Sequence, residues 1–272
     1  MTVAYFTKCE ETFRVKIALV FITKNEEAGL IATLPKVDLS IFDEVYAIDG
    51  HSKDKTCEVF SYYKIPVFQQ SIPGLGGATL AARANCQSDA MVFFHPDGNE
   101  NPKDLSKFID PLNIGYELVI ASRMIAGSYN EDDDKIFKFR KWANLCFAFI
   151  ANTAFGSRKC RVTDVVQGFR AITCEAFDRL SLDKTDCTID YQMVIRALKA
   201  RLKITEFPTI EGMRVAGNTN FASIPTGIAE VKMLLREFWI GNSFLHQTNP
   251  NELRSCNQAS NNATSSFLTK RR

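Results

Sequence analysis

Three clusters of polar and acidic side chains each follow directly on a short apolar run, and these residue types in that position are suited to binding a charged ligand. Thr23-Lys24-Asn25-Glu26-Glu27 follows VKIALVFI, Asp49-Gly50-His51-Ser52-Lys53-Asp54-Lys55-Thr56 follows EVYAI, and His95-Pro96-Asp97-Gly98-Asn99 follows AMVFF. Singly, each has an ordinary structural reading, since Asn25 and Ser52 can cap helices and Asp-Gly pairs favour turns. Together they predict one crevice, because ligands of open α/β sheets collect at the carboxyl ends of the strands. No GxxxxGK[ST] loop is present, and GLGGAT at 74–79 neither follows the first strand nor ends as a dinucleotide fingerprint does. Carboxylates in place of glycine-rich amides imply a divalent cation, Mg2+ or Mn2+, bridging Asp97 to a diphosphate.

Such loop ends need parallel strands behind them. Residues 15–22 form a continuous apolar, β-branched run, the pattern of a strand buried on both faces. Similar runs at 44–48, 66–69, 90–94 and 116–121 alternate with helix-length segments around 26–36, 53–63, 77–88 and 102–110. Right-handed crossovers put those helices on both faces of a mostly parallel sheet, so the fold class is α/β. Beyond residue 125 the pattern becomes a long helix over about 135–155, a loop to 170, helices at 173–180 and 188–201, a strand over KITEFPTI and an amphipathic segment at 224–238. The expected organisation is a single domain over 1–246, with a nucleotide-binding half at 15–125 and an acceptor half at 126–246. A polar Asn/Ser-rich tail at 247–272 is expected to be flexible.

Composition narrows the classes further. Hydrophobic residues at 46% and charged residues at 24% of 272 exclude a disordered or fibrous chain. A net charge of +2 gives no reason to expect nucleic acid as a partner. The eight cysteines (9, 57, 86, 146, 160, 174, 187 and 256) show no CxxC pair, and the three histidines no HExxH spacing, which fits a reduced, cytoplasmic setting without a zinc site. No signal-peptide core opens the chain. The most apolar long stretch, 142–155, is shorter than the ~20 residues that cross a bilayer, and Asn144 and Asn152 interrupt it. The sequon at Asn262 is read as a chance match.

The order of the motifs resembles family 2 glycosyltransferases of the GT-A fold, and among them the polyprenyl-phosphate sugar synthases typified by dolichyl-phosphate mannose synthase. TKNEE stands at the family's Asn-Glu strand end, DGHSKDKT at its Asp-Gly-Ser-x-Asp-Gly-Thr, and PGLGGATLAARA at its glycine-rich loop and helix. HPDGN occupies the Asp-x-Asp position, ASRM the Ser-Arg motif, TDVVQGFRA the Asp-x-x-x-Gly-Phe-Arg motif, and IDYQMVIRALKARLKITEFP the acidic helix and strand.

The resemblance implies that Asn25, Glu26 and Asp49 bind the base and ribose of a nucleotide sugar, and that Asp97 and Asn99 hold the metal. His95 replaces the first Asp of Asp-x-Asp and is either a further metal ligand or a hydrogen-bonded strand-end residue. Gly76 lies in the donor-binding loop where many relatives carry Lys, so phosphate contacts there are weaker or come from elsewhere. Arg123 would face the acceptor or leaving phosphate and Arg140 would be a second anion-binding arginine, with Lys138 and Lys141 a solvated basic face. Arg214, in EGMRVAGNTNF, would close over the diphosphate. Asp190 stands where a catalytic base is placed and Asp164 where a carboxylate organises the lipid-phosphate branch, although both could cap helices.

The implied activity is inverting transfer of a hexose from a UDP- or GDP-sugar to a polyprenyl phosphate, whose anionic oxygen needs no base. The alternatives are transfer to a saccharide hydroxyl, a non-catalytic nucleotide-sugar-binding relative, or a metal-dependent nucleotidyltransferase. Phe147, Phe149 and Ile150 are either a slope for the polyprenyl chain, giving peripheral contact with the cytosolic membrane face, or core packing.

Overall fold

In the computed structural model, which describes residues 14–130, 138–157, 160–215 and 223–246, the first apolar run forms β1 (Ile17–Thr23), buried along its whole length. The expected tail, its sequon, Cys9 and Cys256 lie outside the described residues. The β-α rhythm continues through α1 (Glu27–Thr33), β2 (Glu44–Asp49), α2 (Thr56–Tyr62), β3 (Val67–Gln69), α3 (Leu75–Asn85) and β4 (Ala90–Phe94). Pro102 opens a 3₁₀ stretch, Pro102–Phe108, before a short α4 (Ile109–Asn113), so the helix expected at 102–110 is only partly α-helical. There follow β5 (Leu118–Ser122), α5 (Phe139–Ala154), β6 (Arg170–Thr173), α6 (Cys174–Leu180), α7 (Ile189–Lys199), β7 (Ile204–Pro208) and α8 (Ser223–Ile240).

Among the described residues the sheet has seven strands in the order β3-β2-β1-β4-β6-β5-β7. All pairs are parallel except the two made by β6, which runs antiparallel to β4 and β5. Because strand side chains alternate between faces, β1 splits between two cores: Ala18, Val20 and Ile22 face one, Ile17, Leu19 and Phe21 the other. The first core is completed by α3, α5, α6 and α7, the second by Leu30, Phe60, Phe108 and Leu112 from the opposite layer.

β6 is the element the sequence pattern missed, having read as the end of a loop. It has only four residues, opens on the fully buried Arg170 and runs straight into α6, so no apolar run marks it. Its reversed direction sets its first residue, Arg170, beside Phe93 near the carboxyl end of β4. The loop that precedes it is thereby delivered to the edge where the acidic clusters gather.

Candidate active site

β2 lies on one side of β1 and β4 on the other, so the chain order reverses at β1 and opens a crevice beyond its carboxyl end. The loops there clasp one another. Asn25, at φ 57°, donates its N–H to Ser52 Oγ at 2.8 Å, and its Oδ1 accepts from Lys53 N at 2.7 Å. Glu26 N–H donates to Thr56 Oγ1 at 2.9 Å. The Asp49 carboxylate, fully buried, accepts from Ser52 N at 2.9 Å and from Ser52 Oγ at 2.5 Å. Asn25 therefore ties the first cluster to the second.

The third lies against α1, where an added Cβ at Gly29 would run into the Pro96 carbonyl oxygen, and Glu26 feels its charges. Burial, with Asp97 close by, pushes the Glu26 carboxyl up to about 7, against the pull of Arg214 and His95. In the HPDGN turn Gly98 has φ +99°, which only glycine adopts without strain, and an added Cβ would come within 2.7 Å of Val215 Cγ2. The strand-exit segment 211–215 lies against that turn: Gly212 N–H donates to Asn99 O at 2.8 Å and Val215 N–H to Asp97 O at 2.9 Å. This seats Arg214 Nη2 2.9 Å from Asp97 Oδ2.

His95 is held by Glu100, which accepts its backbone N–H at 2.7 Å and lies 2.8 Å from Nδ1. Burial opposes a charge on the imidazole, but Glu100, with Asp97 and Asp190 beyond it, outweighs burial and pushes it up to about 9. Only Nδ1 is engaged in this way: Nε2 is buried without a partner, so the bond to Glu100 fixes the ring and leaves its other nitrogen open to a ligand.

The second half supplies another group of charges. Asp164, fully buried, accepts from Arg123 N, Nε and Nη2 at 3.0, 2.8 and 3.1 Å, and from Asn144 Nδ2 at 2.7 Å. It does not cap a helix. Burial alone would raise its carboxyl, but Arg123 outweighs burial and holds it low. Arg123 also reaches Glu211 Oε1 at 3.0 Å, so this guanidinium already faces two carboxylates.

Asp190, in the first turn of α7, lies 3.6 Å from Arg170 Nε, and its backbone oxygen accepts from Arg170 Nη1 at 2.9 Å. Together with Leu75, Arg140, Asn144 and Glu230, Arg123 and Asp190 line a cavity of about 180 Å³.

A match to the model of Glycosyl transferase family 2 covers residues 18–181. The chain belongs to glycosyltransferase family 2. It is 31% identical to the glycosyltransferase AglJ of Haloferax volcanii over 78% of this chain and 68% of that one. It is 28% identical to the dolichyl-phosphate hexose transferase of the same organism over 81% and 92%. Glucosyl-3-phosphoglycerate synthase of Mycobacterium tuberculosis, solved with Mn2+, UDP and glucosyl-3-phosphoglycerate, superposes with a TM-score of 0.62 at 18% identity, covering 82% and 79%. The fold is therefore GT-A. The same synthase has also been solved with Mg2+ and UDP.

In this family 2 transferase the donor set fits a hard cation in part. Asp97 offers a carboxylate, and Asn99 Oδ1 is buried without a partner, a spare oxygen two residues away. Among the described residues no three His, Cys, Asp or Glu side chains converge as a closed metal cage. One carboxylate and one amide oxygen suit Mg2+ or Mn2+, which take much of their coordination from substrate phosphates and water.

Gly76, at the start of α3, packs against the segment that precedes α7. Its N–H donates to Asp186 O at 3.1 Å, and a Cβ there would run into the Lys184 carbonyl oxygen. The lysine of many relatives has no room at this position.

Several participants went unassigned in the sequence reading: Glu100, Asn144, Arg170, Glu211 and Glu230. Asn144 and Asn152 had a legible signal, being eight residues apart and so on one helix face. Asn152 exchanges bonds with Val162 O and N at 2.7 and 2.9 Å, so the two interruptions of the apolar stretch clamp the 162–165 loop. Of the three apolar residues with two readings, Phe147 and Ile150 pack on the core, whereas Phe149 is 71% exposed.

Proposed function

We propose that this transferase moves a hexose with inversion from a UDP- or GDP-sugar to a polyprenyl phosphate, within one domain whose first half binds the nucleotide. The observation that carries the acceptor assignment is the cavity containing Arg123, Arg140 and Asp190. Its walls include α5 and α8, and both helices turn large apolar side chains outward. Phe139, Trp142, Leu145 and Phe149 are exposed on α5; Ile228, Val231, Leu235 and Trp239 on α8. A charged pocket between outward-facing apolar helices matches a ligand with an anionic head and a hydrocarbon tail. No described helix is long and apolar enough to cross a membrane, so the contact we propose is peripheral.

In the transfer, an acceptor phosphate oxygen forms the new bond to the anomeric carbon. The bond to the donor phosphate oxygen breaks, and its electron pair leaves with the nucleoside diphosphate. That acceptor oxygen is already anionic, so no proton must be removed. Asn25, Glu26 and Asp49 would contact the nucleoside at the crevice, with Asp49 exchanging its Ser52 contacts for the ligand, and Arg214 would turn from Asp97 toward the departing diphosphate. A divalent cation bound by Asp97 and Asn99 with donor oxygens would supply further charge neutralisation. Arg140 offers the acceptor phosphate a cation, while Asp164 and Glu211 fix the orientation of Arg123. Were the acceptor a saccharide hydroxyl, Asp190 would have to serve as base.

The test is nucleoside diphosphate release with Mn2+ and a short-chain polyprenyl phosphate, with product analysis. Acceptor-dependent release and a lipid-phosphate-linked sugar are expected, and Asp97→Ala should lower turnover at least about 100-fold. Transfer only to saccharides overturns the acceptor assignment, pyrophosphate as product overturns the transferase reading, and full activity of the variant moves the metal site elsewhere.

A further inference from the structure

The acceptor cavity holds, besides Asp190, a carboxyl to which the transfer just described gives no part. Glu230, on α8, lines the cavity at 3% exposure, and its Oε2 has no hydrogen-bond partner. Buried polar atoms are nearly always paired, so an orphan oxygen beside a cavity marks a position for a ligand.

Among the described residues no cation forms an ion pair with it, and Arg170 and Arg123 nearby are set against carboxylates. Asp190 of α7 is met by Arg170 of β6. Beyond β5, Arg123 is taken by Asp164 and Glu211. Lys184 and Asp186, on the segment before α7, act on Glu230 in opposite senses, and Arg140 of α5 lines the same cavity. An ionised Glu230 would add a second negative charge beside Asp190, in the space where an anionic acceptor must sit. Burial, then Asp190 and Asp186, push its carboxyl up to about 8 against Arg170 and Lys184, so it keeps its proton at neutral pH.

We propose that Glu230 is a specificity-determining residue for the acceptor, a neutral carboxylic acid that donates a hydrogen bond from Oε2 to a phosphate-monoester oxygen in the cavity. A phosphate dianion offers only acceptors, so it needs donors around it, and a carboxyl kept protonated by an apolar setting is one. Ionised, the same group repels the phosphate. Glu230 thus screens for an acceptor that accepts hydrogen bonds at this point, an inference resting on the phosphate acceptor proposed above.

The experiment measures KM for a short-chain polyprenyl phosphate from pH 7 to 9.5 in the wild type and in Glu230→Gln, which retains an N–H donor at every pH. In the wild type KM should rise about tenfold between pH 7 and 9 as the competent protonated fraction falls, with kcat little changed. Glu230→Gln should keep a near wild-type KM at pH 7 and lose the alkaline rise, while Glu230→Leu should raise KM already at pH 7. An alkaline rise retained in Glu230→Gln, or a fall in kcat at unchanged KM, overturns the inference. So does a flat wild-type profile, which needs no variant to fold. A second arm with a water-soluble phosphate monoester separates the two proposals. The same pH dependence there, without transfer to the lipid, upholds Glu230 and overturns the lipid acceptor, whereas no transfer to any phosphate overturns both.

Discussion

Arg214 Nη2 and Asp97 Oδ2 are 2.9 Å apart, so the carboxylate expected to hold a cation already has a resident positive partner. A divalent ion arriving alone must displace that guanidinium, whereas one arriving with a nucleotide diphosphate gives Arg214 an anion to turn to. Replacing Arg214 by Met should therefore strengthen Mn2+ binding without nucleotide by on the order of tenfold, equivalent to ~1.4 kcal/mol. The same change should lower turnover by about 10- to 100-fold through loss of charge stabilisation. Electron paramagnetic resonance of free Mn2+ and steady-state kinetics read the two effects; a variant that binds Mn2+ more weakly contradicts the displacement. At this scale the identity of Asp97 as a strand-end carboxylate was legible from its position after AMVFF. Its partner was not, because 117 residues separate them and nothing local in EGMRVAG specifies the turn it lies against.

Among the elements, α8 is tied to the body through a buried cluster of charges. Glu237, fully buried, accepts from Arg196 Nε at 3.0 Å and Nη2 at 2.8 Å, from Gln192 at 3.0 Å and from Lys199 at 3.0 Å. Phe244 covers the cluster, 4.8 Å from the Arg196 guanidinium. Burial alone would raise the Glu237 carboxyl, but Arg196, Gln192 and Lys199 outweigh burial and hold it below its ordinary value of 4.5.

A carboxyl lowered in the folded state contributes stability above its unfolded value, and the contribution is lost as pH falls through the lowered one. Glu237→Gln should cost about 3 kcal/mol at pH 7, because it takes the carboxylate from buried Lys199 and leaves Arg196 only Asp183 at 3.4 Å. The variant should also lose less stability than the wild type on going to pH 3. Urea unfolding at both pH values checks the sign, and equal stability at pH 7 would show the cluster to be dispensable. The long helices were legible from their three-to-four spacing. The clustering was hidden because Arg196, Lys199 and Glu237 meet only when α7 and α8 pack together.

For the whole molecule, the sheet carries one layer of helices toward α5, α7 and α8 and another toward α1, α2 and α4, and the outward apolar side chains at issue lie in the first layer. Phe149 is 71% and Trp239 90% exposed, on the two helices that wall the cavity lined by Arg123, Arg140 and Asp190. Insertion of such a side chain into a lipid interface contributes up to ~1.5–3 kcal/mol. Vesicles of phosphatidylcholine with anionic lipid should therefore retain the protein. The double change Phe149→Asp and Trp239→Asp should cut co-sedimentation by at least about tenfold. Equal partition of the double variant would assign those side chains to something other than a membrane surface.

The sequence alone determined the α/β rhythm, the position of the acidic strand ends and the family, because these depend on local periodicity and on residues adjacent in the chain. Only the tertiary structure decided that β6 runs against its neighbours, that Arg123 is shared between Asp164 and Glu211, and that Gly76 lies against the Lys184 and Thr185 backbone. It likewise placed Glu230 beside Asp190 in one cavity. Each of those outcomes joins segments distant in sequence, and no single segment carries the packing energy or the field of its partners until the chain has closed around them.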